Sequence, residues 1–173
     1  MRVLGIDPGT VMSGYGVVDE EGHGIFYVEC GGIAASSKLS FPERLKKIYD
    51  GLERVIEAHR PDIVAVENVF FARNVQSALK LGHARGVALL AAVNFGLPVF
   101  EYTPLEIKKA VVGYGAAEKA QVQQMVKALL KIKTMPKSHD ASDALAAAIC
   151  HIHSARMSET LKGNGNGRGR KKP

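Results

Sequence analysis

The stretch RVLGIDPGT, residues 2–10, decides the fold and holds the first candidate for chemistry. Its apolar first part predicts a short buried strand, which ends at Asp7 because the next three residues form turns readily. A second apolar run, DIVAVE at residues 62–67, predicts another buried strand that ends in Glu67. Two buried strands that end in acids are therefore the framework around which the other elements are arranged.

The other elements follow from turn residues and apolar spacing. Ser40 with Glu43, and Thr103 with Pro104 and Glu106, are typical of helix starts. The predicted strands also cover residues 14–19, 23–33 and 97–102, and the predicted helices cover residues 40–60, 74–94, 118–130 and 138–155, with a further helix from Thr103. This order predicts an α/β domain with a mixed five-stranded sheet flanked by helices.

Length and composition favour one globular domain. The chain has 173 residues, of which 46% are apolar and 23% charged, as in ordinary globular proteins. Cys30 and Cys150 offer no disulfide framework and no metal-binding spacing, so we expect a reducing, cytoplasmic setting. The longest uncharged stretch, residues 86–100, is too short to span a bilayer. Secreted miniproteins, fibres and membrane spans are therefore excluded.

The positive charge is concentrated at the end of the chain. Of the formal net charge of +6, residues 162–173 carry +5, which leaves +1 on residues 1–161. Residues 163–173 lack apolar side chains and are rich in glycine, which is typical of a flexible basic tail. This tail could be a solvated terminus or an arm on nucleic acid. We expect a globular domain at residues 1–157 and a tail at residues 158–173.

Four acids are expected to meet at one place. The helix at residues 40–60 is long enough for a crossover that lays the strand ending at Glu67 parallel to the strand ending at Asp7. Both carboxylates would then emerge at the same sheet edge. Asp140 and Asp143 lie three residues apart, so they share one face of the last helix. Any one of these acids could be solvated, but Asp143 directly precedes an apolar run that must be buried, and a carboxylate there needs a cation.

Such a cluster points to a hard divalent cation. Two unit charges at about 4 Å repel by about 4 kcal/mol at an effective dielectric of about 20. Oxygen ligands suit Mg²⁺ or Mn²⁺. Two such ions about 3.5–4 Å apart can activate a water and stabilise the leaving oxygen of a phosphodiester. We therefore expect metal-dependent phosphodiester chemistry.

Four ordered motifs carry a resemblance to a known family: GIDPGT (5–10), VENVF (66–70), GYGAAEK (113–119) and DASDALA (140–146). Together they resemble the RuvC family of Holliday junction resolvases, over nearly the whole chain. The resemblance implies an RNase H-like nuclease domain, a homodimer, and a Mg²⁺-dependent endonuclease that nicks two opposed strands of a four-way DNA junction. It also implies two ions per site, and it places the catalytic and metal-binding acids on Asp7, Glu67, Asp140 and Asp143.

Further residues are candidates for DNA binding. The resemblance gives Phe70 the position of an aromatic side chain that stacks on unpaired bases, although Phe70 could instead be a core residue. It matches Lys108 and Lys119 to basic positions near the DNA and the scissile phosphate, where each alone could be a solvated helix lysine. Arg73 could add a phosphate contact or be solvated. His139 could be a ligand or proton carrier, but the Asp-x-x-Asp spacing favours its neighbour Asp140.

Two other functions stay open at this point. Actin-like and Hsp70-like ATPases also have a first phosphate loop of the form Gly-Ile-Asp-x-Gly-Thr, but they need two lobes and 173 residues supply one. A junction-binding module without catalysis is the second alternative, although all four acids are present.

Two expectations concern partners. Gly82 and Gly86 lie four apart on one face of the helix at residues 74–94, which predicts a tightly packed face. That face could be the contact of a two-fold dimer, or it could pack on the chain's own sheet. The family resemblance also implies cooperation with the RuvA–RuvB branch-migration complex, for which no segment can be assigned.

Overall fold

A computed structural model describes residues 1–68, 74–134 and 138–165, with side chains up to residue 161. Its elements in chain order are β1 (Arg2–Asp7), β2 (Met12–Glu21), β3 (Gly24–Ala34), α1 (Phe41–His59), β4 (Ile63–Glu67), α2 (Val75–Asn94), β5 (Val99–Tyr102), α3 (Pro104–Val112), α4 (Lys119–Leu129) and α5 (His139–Gly165). The predicted order of strands and helices is confirmed.

One five-stranded sheet of order β3-β2-β1-β4-β5 forms the centre of the fold. β1, β2 and β3 pair antiparallel, whereas β4 is parallel to β1 and β5 is parallel to β4. The predicted mixed sheet is therefore confirmed, and so is the parallel pairing of the two strands that end in acids. Because Ile6 is paired with Val66, the next residues, Asp7 and Glu67, end neighbouring strands at the same edge.

Helices cover both faces of the sheet. Leu4, Ile6 and Val66 belong to a buried cluster with α1 and α2. Val3 and Ala65, on the opposite face of the same strands, belong to a second cluster with α3, α4 and α5. The two clusters hold the sheet rigidly between two helical layers, which fixes the strand ends in position.

Three glycines let α5 lie very close to the sheet. A Cβ added at Gly5 would collide with the backbone of Ala144, and one added at Gly14 would collide with the backbone of Asp140. At Gly16 it would stand 2.7 Å from the side chain of Leu145. Any larger residue at these positions would push the first turns of α5 away from β1 and β2.

The predicted helix starts are confirmed by their caps. Ser40 and Glu43 form a capping box at α1, and Thr103 and Glu106 form another at α3 with Pro104 in the first turn. These reciprocal bonds satisfy the first free N–H groups of each helix.

Two predicted boundaries are wrong. α5 does not end near Ala155 but continues to Gly165, because no proline or helix-ending glycine occurs before Gly163. β5 begins at Val99 rather than at Leu97, because the Leu97 N–H donates to the carbonyl of Ala92 and so completes the turn that ends α2.

The outward face of α2 is open. A Cβ added at Gly82 or Gly86 would meet no described atom within 4 Å, so the alternative that these glycines pack the helix on its own sheet is wrong. Cys30 and Cys150 are both free thiols. No helix in the described part of the chain combines the length and the apolar character needed to cross a bilayer.

Candidate active site

Strand alternation turns the two strand-end acids toward α5. Successive side chains of a strand point to opposite faces. Val3 and Gly5 of β1 face α5, so Asp7 two residues further does too. The same alternation from Ala65 places Glu67 on that face. Both carboxylates therefore emerge at the end of the sheet where α5 begins.

Asp140 and Asp143 complete the group from the first turns of α5. The close approach at Gly14 holds the backbone of Asp140 directly on β2. From Ala144 to Ile149 the helix is almost completely inaccessible to solvent, so its start cannot shift without disturbing the core. The site thus combines two strand ends and one helix start that are all anchored in buried structure.

The pKa values of the strand-end acids report the crowding. The pKa of Asp7 is raised from 3.8 to about 8, first by burial and then by the charges of Glu67, Asp143 and Asp140, against the opposing effect of Lys119. Burial also raises the pKa of Glu67, to about 7, with a contribution from Asp143. A site that makes its own carboxylates hold protons near neutral pH is short of positive charge.

Lys119 supplies part of that charge. Its Nζ donates a hydrogen bond to Oδ2 of Asp143 at 2.5 Å and so joins the first turn of α4 to α5. Partial burial works to lower the pKa of Lys119, but the bond to Asp143 and the nearby Asp7 and Asp140 outweigh it, and the pKa is raised. Lys119 is therefore held as a cation.

A cleft of about 210 Å³ opens beside the acids. Lys108 and Lys119 line it on the helical side, and Glu67 and Asp143 line it at the sheet edge. Its remaining wall is mostly apolar, formed by Pro104, Ile107, Val122 and Ala146. The two lysines predicted to lie near a phosphate are thus brought together with two of the four acids.

The side chains of the four acids are not arranged around a single metal position in this structure. Among the described residues, no three carboxylate, imidazole or thiol groups are arranged to hold one metal ion. Asp143 is engaged by Lys119, and Oδ2 of Asp140 accepts a hydrogen bond from Ser138 at 3.3 Å. The donor set itself, carboxylate oxygens of high charge density, fits a hard divalent cation.

His139 points to a neighbouring helix rather than into the cluster. Its Nδ1 lies 2.7 Å from Nε2 of Gln123 on α4, and its side chain is exposed. Gln123 has no signal in the sequence, because the bond joins residues that only the packing of α4 on α5 brings together. The contact links the helix that carries Lys119 to the start of α5.

Further candidate or bracing residues lie outside the acidic cluster or outside the described part of the chain. Phe70 and Arg73 lie outside the described residues. Arg85 of α2 forms an ion pair with Glu101 of β5. Ser13 was not a sequence candidate; its buried hydroxyl donates to the carbonyl of Gly9 at 2.8 Å and so braces the turn after Asp7.

A mixed sheet of this order, with acids from its two central parallel strands and from a helix laid across it, defines the chain as a metal-dependent nuclease with an RNase H-like fold. The family model described as crossover junction endodeoxyribonuclease RuvC matches residues 3–151. The chain belongs to the RuvC family of crossover junction endodeoxyribonucleases.

Individual relatives agree with this assignment. The chain is 58% identical over 163 residues to the crossover junction endodeoxyribonuclease RuvC of Geobacter sp. (strain M21), covering 94% of this chain and 99% of that one. It is similar to the structure of T. thermophilus RuvC in complex with Holliday junction substrate, with 38% identity and a TM-score of 0.87 over 91% of this chain and 96% of that one. At 14% identity and a TM-score of 0.67, the yeast mitochondrial Holliday junction resolvase shares the fold, over 91% of this chain and 80% of that one. The predicted family and nuclease activity are confirmed, and the ATPase alternative is set aside.

Proposed function

We propose that this nuclease resolves four-way DNA junctions by nicking two opposed strands, with Asp7, Glu67, Asp140 and Asp143 as its metal ligands. The observation that carries the proposal is the convergence of these four acids, beside two cleft lysines, in a chain whose 38% identical relative is described in complex with a Holliday junction. Junction resolution of this kind belongs to recombination and DNA repair.

The ions that fit are Mg²⁺, or Mn²⁺ in its place, and we propose two per site. Support comes from the chemistry of the donor set: four carboxylates offer oxygen ligands only, and the raised pKa values of Asp7 and Glu67 indicate missing positive charge. When bound, such ions activate water and stabilise the leaving oxygen of a phosphodiester. The acids hold them in place from rigid elements.

Lys108 and Lys119 position the phosphate in this proposal. Both line the cleft that opens directly beside Glu67 and Asp143. A phosphodiester lying there would bring its negative charge against two ammonium groups, while the apolar wall at Ile107 and Val122 excludes water from one side. Phe70 is proposed to stack on unpaired bases, and Arg73 to add a phosphate contact.

We propose a homodimer formed through the outward face of α2. Its apolar members Val75, Leu79, Leu90 and Val93 are 53–75% exposed, and the two open glycines, Gly82 and Gly86, lie between them on the same stripe. Steps of three and four residues keep all six on one side of the helix. A two-fold dimer across this stripe would present two sites to the two opposed strands of a junction.

The remaining partners and segments follow from the family. We propose residues 1–157 as the nuclease domain and residues 158–173, which begin as the last turns of α5 and are basic from Lys162 onward, as a tail that contacts DNA phosphates. Cooperation with the RuvA–RuvB complex and a cytoplasmic location are part of the same proposal, and the two free cysteines agree with a reducing compartment.

The test uses a synthetic four-way junction with and without Mg²⁺. Asp7→Asn, Glu67→Gln, Asp140→Asn and Asp143→Asn should each abolish Mg²⁺-dependent nicking and leave junction binding largely intact, because affinity comes mostly from phosphate contacts. Asp50→Asn is the matched control, since Asp50 pairs with Lys46 on the surface of α1. A quartet variant that nicks at the wild-type rate would remove that residue from the site. Binding without nicking by the wild type would instead favour a non-catalytic junction-binding module.

A further inference from the structure

The bond between Lys119 and Asp143 joins two parts of the chain that are 24 residues apart. The side chain of Lys119 is 55% exposed and that of Asp143 is 20% exposed, so the pair stands at the mouth of the cleft. Lys119 is the first residue of α4, where the N-cap Glu118 and Gln121 form a capping box. The ammonium therefore extends from a fixed helix start toward the acids.

This contact is distinctive among the charges of the site. Within the described residues, Lys119 is the one cation that hydrogen-bonds a carboxylate of the quartet. Lys108 lines the same cleft, and its charge acts on Glu67 only through space. The two lysines thus carry the same charge and line the same cleft, but of the two Lys119 is the one that hydrogen-bonds Asp143.

Lys119 and a metal ion would compete for the same oxygen. The bond from Nζ occupies part of the acceptor capacity of Oδ2, and an ammonium held this close to Asp143 repels a divalent cation that approaches the same carboxylate. Yet the four acids also repel one another when no ion is present, and Lys119 relieves part of that repulsion.

We propose that Lys119 is the resident counterion of the metal-free site and that an incoming divalent ion displaces it from Asp143. The displaced ammonium then lies free at the cleft, where the phosphate is proposed to sit. Lys119 would thus lower the ion affinity of the free protein and become available to DNA only when the ion has bound. This inference rests on the proposed metal site and concerns the order in which its charges are exchanged.

The experiment measures Mn²⁺ binding to the full chain without DNA, from the decrease of the free Mn²⁺ signal in electron paramagnetic resonance. Lys119→Met keeps the length and the helix propensity of the side chain but removes the charge. Its dissociation constant for Mn²⁺ should fall about two- to fivefold, the range that a partly exposed ion pair supports. In thermal unfolding without metal it should melt below the wild type, and its melting temperature should rise more on adding Mn²⁺.

Two control variants separate the pair from the general field of the cleft. Lys119→Arg keeps the charge and should bind Mn²⁺ like the wild type. Lys108→Met removes one charge from the same cleft and should tighten binding clearly less than Lys119→Met. Equal tightening by both methionine variants would overturn the inference, because the pair with Asp143 would then have no special role.

The other possible results of Mn²⁺ binding separate the displacement of Lys119 from the proposed metal site itself. Unchanged or weaker Mn²⁺ binding by Lys119→Met would refute the displacement while leaving the proposed metal site intact, provided that Asp143→Asn weakens binding. No saturable Mn²⁺ binding by the wild type would overturn both proposals together. The tighter binding expected here is an outcome that mere damage to the fold would not produce.

Discussion

Asp7→Asn should make the metal-free protein more stable at pH 8 and no more stable at pH 4. The pKa of Asp7 is raised from 3.8 to about 8 in the folded chain, first by burial and then by Glu67. Between those two pH values the folded state holds a proton that the unfolded state has released. The free energy of unfolding therefore falls as the pH rises through this window. The stability that the Asp7 proton contributes is fully present below about pH 4 and lost by about pH 8.

The magnitude follows from the width of the window. Each pH unit over which the folded chain holds one extra proton lowers the free energy of unfolding by about 1.4 kcal/mol. Four such units from Asp7 correspond to roughly 5–6 kcal/mol, and coupling to Glu67 shares that loss between the two groups. Asparagine has nearly the same shape and cannot ionise. At pH 8 without metal, the variant should therefore exceed the wild type by on the order of 3–5 kcal/mol.

Urea unfolding at pH 4.5, 6 and 8 in the presence of EDTA measures this difference. Asp50→Asn, a surface change on α1, should follow the wild type at every pH. Saturating Mg²⁺ should reverse the order of stability, because an ion that binds only the folded state stabilises it by RT ln(1 + c/Kd), where c is the free Mg²⁺ concentration, and the variant lacks one of the proposed ligands. Parallel pH profiles for Asp7→Asn and the wild type in EDTA would refute the argument, since they would mean that Asp7 ionises in the folded chain without cost.

Two further predictions concern assembly and DNA affinity. Gly86→Leu places a large side chain on the open stripe of α2, where an added Cβ meets no described atom within 4 Å, so the variant should keep the monomer folded and break the dimer in light scattering. A folded, dimeric variant would rule this face out as the contact. Deleting residues 163–173 removes four cationic side chains, so the slope of log affinity against log salt should become shallower by up to about 0.9 per lost phosphate contact, while nicking of bound junctions keeps its rate. An unchanged slope would mean that the tail is a solvated terminus.

Much of the site could be predicted because its signals are local. Asp7 and Glu67 each end an apolar run, and the length of the connecting helix made a parallel pairing the simple outcome. Asp140 and Asp143 are three residues apart at a helix start. Each of these features is visible within a few residues, and strand and helix periodicity then determine which face the side chains share.

What could not be predicted depends on distances between remote segments. The bond from Lys119 to Asp143 has no local signature, because it exists only once α4 packs beside α5. The role of the strand glycines could not be predicted either. In the sequence, Gly5 and Gly14 only reduce strand propensity, and the need for glycine appears once α5 packs across them. The sequence also placed Gly82 and Gly86 correctly on one face, but only the packed helix shows that this face is open.

The closeness of α5 to the sheet connects the stability of the fold with its function. Without a metal, the folded state disfavours charge on Asp7 and Glu67, so the elements that carry these acids must resist being pushed apart when the acids ionise. They resist because the segment from Ala144 to Ile149, directly after Asp143, is almost wholly buried. Moving α5 away from the sheet would expose this segment to water. A larger residue at Gly5 or Gly14 would lift α5 and relieve the repulsion, but it would also separate the oxygens that an ion must reach at once. The glycines of β1 and β2 therefore keep the acids close enough to repel one another when they ionise, and a divalent cation would relieve that repulsion when it binds.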